Sequence, residues 1–303
     1  MPDGRTLIFG TVADPVAHVT SPERFGWLFE QWGFNGAMMA FHVRPENLKR
    51  FLHGVRHLSN LAGFCVTIPH KQAIVPLLDE VTDRAALVGA VNVVRRLPDG
   101  RLVGDQMDGM GFVEGLRKAG HEISGKDVFM AGAGGAAAGI AFAIAAAGAR
   151  KLTIHNRTAA TAAALARRVA TQNAACRVEV GGKDPAGHAI AINATSAGMR
   201  ETDELPMSLD SVGPGMVVAE VIMRPRETAL LAGAARRGAT VHHGDEMLLA
   251  QLPMLARFMG AHPKEEGAPT PEAPGGTALP PGPSAGGRAR AAAVAWATTN
   301  FCD

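Results

Sequence analysis

Short apolar runs alternate with stretches of helical period along most of this chain, with Gly, Pro, Asp and Asn clustered between them. Residues 7–12 read as a first buried strand. Ser21-Pro22-Glu23 reads as a helix start, with Ser21 as N-cap, Pro22 at the first helical position and Glu23 near the positive end of the dipole. Phe25, Leu28, Phe29 and Trp32 then recur at i, i+3, i+4 and i+7, which makes one apolar face. A strand over 38–43, a helix over 45–57 and a strand over 63–68 follow. Helical patterns over 71–80 and 83–87 lead into a hairpin of strands 91–97 and 102–105, turning at Pro98-Asp99-Gly100. This half predicts an α/β unit with its own core.

The second half alternates more regularly. A helix from Asp108 to about residue 118 precedes strands at 127–131 and 151–155 and helices at 136–147 and 159–171. Further short strands are expected at 178–180, 189–193 and 217–221, and a last helix at 244–259. Strands that alternate with helices imply a parallel, doubly wound sheet. The fold class is therefore α/β: an N-terminal α/β unit followed by a doubly wound, Rossmann-type domain. Residues 128–149 carry no charge and are long enough to span a bilayer. Their Ala and Gly content and Gly-rich turn fit a buried strand, turn and helix better. From residue 262 to 303 Pro, Gly and Ala dominate without periodicity, so this tail is expected to be disordered.

At 303 residues and 47% hydrophobic composition, the chain can bury one large core or two moderate ones. Net charge is +2, from 30 basic and 28 acidic residues, so nothing points to a nucleic-acid or membrane partner. Three cysteines lie far apart with no CxxC spacing, which suggests a reducing, cytoplasmic setting rather than a disulfide framework or a metal site. The N-terminus shows no basic segment followed by an apolar one, so no secretory signal is expected. Oligomeric state is not legible. The expected partner is a small-molecule substrate.

Two segments carry the chemistry. In Gly63-Phe64-Cys65-Val66-Thr67-Ile68-Pro69-His70-Lys71 a threonine hydroxyl and a lysine ammonium flank a proline that fixes the backbone, so Lys71 can be aimed. Further on, Gly132-Ala133-Gly134-Gly135-Ala136-Ala137 follows a predicted strand and opens a helix, the context in which glycines let a backbone approach a pyrophosphate. The next strand ends in Asn156-Arg157-Thr158, where an acidic residue would bind a ribose 2′-hydroxyl. Arg157 instead suits a 2′-phosphate, which favours NADP as cofactor.

Taken together, these segments resemble the shikimate dehydrogenase family. Residues 14–22 look like its GxPxxHSxSP segment, Val66-Thr67-Ile68-Pro69-His70-Lys71 like VTxPxK, Gly89-Ala90-Val91-Asn92 like GAxN, and Asp108-Gly109-Met110-Gly111 like the end of NTDGxG. Residues 132–137, 156–158, 192–199 and 244–251 complete an ordered series. The resemblance implies a substrate-binding lobe of residues 1–107 with the returning helix 245–260, a dinucleotide-binding domain of residues 108–244, and a cleft between them. It implies an NADP-dependent enzyme that interconverts a ring alcohol and its ketone, with shikimate as reference substrate. It implies Lys71 and Asp108 as acid–base pair, and Ser21, Thr67, Asn92 and Gln251 as substrate contacts. Asp83, Val221 and Gly244 match positions near the nicotinamide half of the cofactor.

Departures are as informative. Val19 stands where the family has a substrate-gripping Ser, Met223 where it has a Tyr, and Cys65 where it has an Asn. Gln106-Met107 replaces Asn-Thr, Glu220 replaces Asp, and Thr161 stands where a second cofactor-phosphate Arg is often found, which keeps NAD open as the cofactor. The expectation is retained hydride chemistry with shifted substrate recognition. Quinate or another diol, or a non-catalytic ligand sensor on the same fold, stand as alternatives.

Overall fold

Each half of the chain buries its apolar runs in a six-stranded sheet. The structure is a computed structural model and describes residues 2–264. The first half comprises β1 (Leu7–Ala13), α1 (Ser21–Gln31), β2 (Gly36–His42), α2 (Leu48–Val55), β3 (Leu61–Val66), α3 (His70–Ala73), β4 (Glu80–Val81), α4 (Asp83–Val88), β5 (Val93–Arg96) and β6 (Leu102–Asp105). The sheet order is β2-β1-β3-β5-β6-β4. β1 runs parallel to both β2 and β3, whereas β5 is antiparallel to β3 and β6.

The second half follows with α5 (Asp108–Lys118), β7 (Asp127–Ala131), α6 (Gly135–Ala146), β8 (Lys151–His155), α7 (Ala159–Gln172), β9 (Arg177–Val180), β10 (Ile190–Asn193), β11 (Val217–Glu220), α8 (Ala229–Ala235), β12 (Thr240–His242) and α9 (Gly244–Phe258). Its strands are all parallel, in the order β12-β11-β10-β7-β8-β9. The chain winds outward from β7 through β9, then restarts at β10 on the other side. That reversal opens a crevice at the carboxyl ends of β7 and β10, where open α/β sheets bind ligands.

Burial follows the apolar periodicities. Phe25, Leu28 and Phe29 of α1 pack on Phe9 of β1, with the Phe9 and Phe29 ring centroids 4.9 Å apart. Burying such a side chain contributes about 1.5–3 kcal/mol. Leu248, Leu252 and Leu255 of α9 join this cluster, whereas Met247 of the same helix joins the core of the second sheet. Helix α9 lies along α5, and α5 also lies along α6. This pair therefore bridges the two sheets.

Several expectations change. Ser21 is the first helical residue and Thr20 the N-cap, with no side-chain capping bond. The Ser21 hydroxyl is engaged instead with Thr11 Oγ1 at 2.7 Å. The helix expected over 71–80 stops at Ala73 and gives way to a 3-10 turn at Val75–Leu77, because Pro76 has no N–H to continue the ladder. Helix 45–57 opens with a 3-10 turn over Pro45–Asn47. The short elements β4, α8 and β12 add to those the sequence pattern predicts. The charge-free stretch forms β7, the glycine turn and α6, and no described helix is long and apolar enough to cross a membrane. The expectation for the tail lies, from residue 265 onward, outside the described residues.

Candidate active site

Lys71 sits on α3, which begins directly after the Thr67-Ile68-Pro69 turn at the end of β3. Asp108 is the first residue of α5, with Met107 as N-cap, so its carboxylate is free of any capping bond. Lys71 Nζ donates to Asp108 Oδ2 at 2.5 Å, with the lysine side chain 14% exposed and the aspartate 2%. A buried carboxylate needs further donors. Asn92 Nδ2 donates to Oδ1 at 2.9 Å and Gln106 Nε2 to Oδ2 at 3.0 Å. Gln106 also holds the Asp108 backbone N–H through Oε1, and Asn92 Oδ1 takes the Met107 N–H at 2.8 Å. Asn92 Nδ2 also reaches Gln251 Oε1 of α9 at 3.2 Å, joining three separate segments around one carboxylate.

A cleft of about 400 Å³ opens beside Lys71, lined by Thr67, Gly132, Ala133, Gly134, Gly135, Ala136, Val221 and Met223 among others. A second cleft of about 580 Å³ is lined by Arg157, Thr158 and Lys183 and shares Gly132, Asn156, Thr195 and Ser196 with the first. The two are therefore one continuous trough across the carboxyl ends of the second sheet. Gly132 has φ +119°, and a Cβ there would sit 2.7 Å from the Ala194 carbonyl oxygen. Among the described residues a Cβ on Gly134 would meet nothing within 4 Å, so the backbone there is open to the trough. The N-terminus of α6 follows at Gly135, ready for a pyrophosphate. Arg157 and Lys183 supply cationic side chains at the far end, so the residues present fit a phosphorylated dinucleotide.

The remaining expected residues divide. Asn92 and Gln251 are buried beside Asp108, and Thr67 and Val221 face the cleft. Gly244 is buried where a Cβ would lie 2.2 Å from the Ile222 carbonyl oxygen. Ser21 is buried and held by Thr11, and Asp83 is exposed in the first turn of α4, lining neither cleft. Gln106, Lys183, His18 and Arg224 also stand at the site, without a role that the sequence assigns them. Gln106 stood only as a departure, and nothing local marks Lys183. Cys65 is buried, and desolvation, with the Asp108 charge adding, pushes its thiol up to about 12. It is a filler, as expected of a cysteine without a partner base.

A crevice of this topology, with a glycine turn at one side and a buried Lys–Asp pair at the other, defines a two-lobed, dinucleotide-dependent oxidoreductase. Residues 11–94 match the shikimate dehydrogenase substrate binding domain, and residues 114–198 match shikimate / quinate 5-dehydrogenase. The shikimate dehydrogenase (NADP(+)) of Rubrobacter xylanophilus is 40% identical over 255 residues, spanning 82% of this chain and 89% of the relative. A crystal structure of a shikimate dehydrogenase in complex with NADP+ superposes with a TM-score of 0.80 at 33% identity, covering 87% of this chain and 93% of the other. The ligand-free 5-ketofructose reductase of Gluconobacter sp. strain CHM43 gives 0.76 at 30% identity, covering 86% and 96%. The chain belongs to the shikimate dehydrogenase family.

Proposed function

We propose that this protein is an NADP-dependent dehydrogenase that interconverts shikimate, or a close hydroxylated ring acid, with its 3-keto form. The observation that carries this reading is the Lys71–Asp108 pair at the edge of the dinucleotide trough. Bound NADP supplies or accepts the hydride. In the reducing direction the Lys71 ammonium holds a proton toward the substrate carbonyl oxygen and donates it as the alkoxide develops. In the oxidising direction Lys71 recovers that proton. Asp108 keeps the ammonium oriented, and Asn92 and Gln106 keep Asp108 in place. Thr67 faces the same cleft and is a substrate contact, while Arg157 and Lys183 hold the 2′-phosphate end. Lys183 supplies the second cation that Thr161 does not.

The 5-ketofructose reductase likeness, with Met223 in the cleft, favours a second reading in which the ring substrate differs from shikimate. The test is nicotinamide reduction with NADP or NAD against shikimate and quinate. Wild type is expected to turn over shikimate with NADP. Lys71→Ala is expected to lose roughly 10²- to 10⁴-fold in kcat while still binding NADP. Silence on both acids from a wild type that binds NADP would sink the first reading. Full activity in Lys71→Ala would remove the acid–base assignment.

A further inference from the structure

We propose that Arg224 recognises the carboxylate of the substrate, which takes the place of Glu23 on its guanidinium. This rests on the ring-acid reading above. Among the described residues, three basic side chains line this cleft: His18, Lys71 and Arg224. Lys71 is bound to Asp108, and burial biases His18 toward its neutral form. Among the described residues that leaves Arg224 as the cation of this cleft held only by an exposed partner. Its partner is Glu23 in the first turn of α1, at 3.7 Å, and both side chains are more than half exposed. An exposed pair at that distance is weakly held and readily exchanged. A planar guanidinium accepts a substrate carboxylate through two parallel N–H···O bonds, which a single distant contact to Glu23 does not use.

The surroundings leave this role to Arg224. Thr20 Oγ1 reaches the Met223 sulfur at 3.9 Å, so the α1 end of the first lobe meets the Met223-Arg224 segment of the second at this part of the cleft. The Ser21 hydroxyl is turned to Thr11, and Met223 offers no donor. Glu23 thus acts as an intramolecular stand-in for the substrate's acid group, and the ion pair between the lobes is exchanged when substrate enters.

The test compares shikimate with its uncharged methyl ester in wild type, Arg224→Gln and Glu23→Gln, with NADP affinity as the control for folding. Wild type is expected to prefer the acid. Arg224→Gln is expected to raise KM for shikimate roughly 10- to 100-fold, the worth of a charge-assisted contact, with kcat and NADP affinity little changed. The KM for the ester should not move, and Glu23→Gln should lower KM for the acid. Equal effects of Arg224→Gln on acid and ester, or no effect on either, would overturn the proposal while leaving the dehydrogenase reading intact. If wild type turned over neither compound, that reading would fail, and calorimetric binding of shikimate would decide this proposal separately. Weaker binding by Arg224→Gln than by wild type would support it. Equal binding, or none by wild type, would overturn it.

Discussion

Glu220 is fully buried at the end of β11, and replacing it with Gln should change how stability depends on pH. Its Oε2 accepts from Thr228 Oγ1 at 3.0 Å and Asn193 Nδ2 at 3.4 Å, while Oε1 has no partner among the described residues. Burial outweighs those two donors and raises its pKa from 4.5 to about 7. Because the folded pKa lies above the unfolded one, the native state binds the extra proton, and stability falls as pH rises from about 4.5 through 7. The shift corresponds to about 3 kcal/mol in that window. His242 acts in the opposite sense. Burial lowers its pKa from 6.5 to about 4, so its neutral folded form is favoured above 6.5 and penalised as pH falls toward 4, again by about 3 kcal/mol.

Between about pH 4.5 and 6.5 the two slopes oppose each other, and wild-type stability from these groups should be nearly flat. Glu220→Gln keeps an oxygen for Thr228 and Asn193 but cannot ionise. Its stability should climb with pH up to 6.5 and then level off. Relative to wild type it should gain about 3 kcal/mol between pH 4.5 and 8. His242→Leu should show the reverse, declining from 4.5 to 7. Urea unfolding at half-unit pH steps, with unchanged m-values, measures both. Parallel pH profiles for wild type and Glu220→Gln would refute the reasoning, because the burial cost would then not reside in an ionising carboxyl.

Arg157→Ala and Lys183→Ala are each expected to raise KM for NADP roughly 10-fold or more while leaving KM for NAD unchanged, since a charge-assisted contact to the 2′-phosphate is lost. Gly109→Ala is expected to destabilise by about 1–3 kcal/mol or more, read by urea unfolding, because its Cβ would lie 2.1 Å from the Gly139 carbonyl oxygen and that neighbour is backbone.

What the sequence made legible was local or ordered along the chain. Pro69 before Lys71, the glycines after β7, and Asp108 at a helix start could each be read in place, and their order pointed to the family. What escaped depends on distant partners. Ser21 has the composition of an N-cap, but β1 brings Thr11 beside it, and the hydroxyl is taken by tertiary contact. Asp83 matches a cofactor position, yet it stands exposed in the first turn of α4, while Arg84 turns to Asp105 at 3.1 Å. Lys183 enters the trough from a segment after β9, far in sequence from Arg157, and carries no motif of its own.

The same contrast explains the glycines of α5. A glycine inside a helix costs about 0.5–1 kcal/mol relative to alanine, so Gly109 and Gly111 weaken the helix that presents Asp108. Their sites leave no room for a side chain. A Cβ on Gly111 would sit 2.6 Å from Gln251 Cβ and 2.9 Å from the Met247 carbonyl oxygen, both on α9. Gly109 meets α6 in the same way on another side. The helix can therefore lie close to α6 of the second lobe and to α9 beneath the first. Asn92 then spans Asp108 Oδ1 and Gln251 Oε1 with one amide nitrogen. Two glycines that read as a short motif act as spacers: they set helix separation, and helix separation places the carboxylate within reach of Lys71.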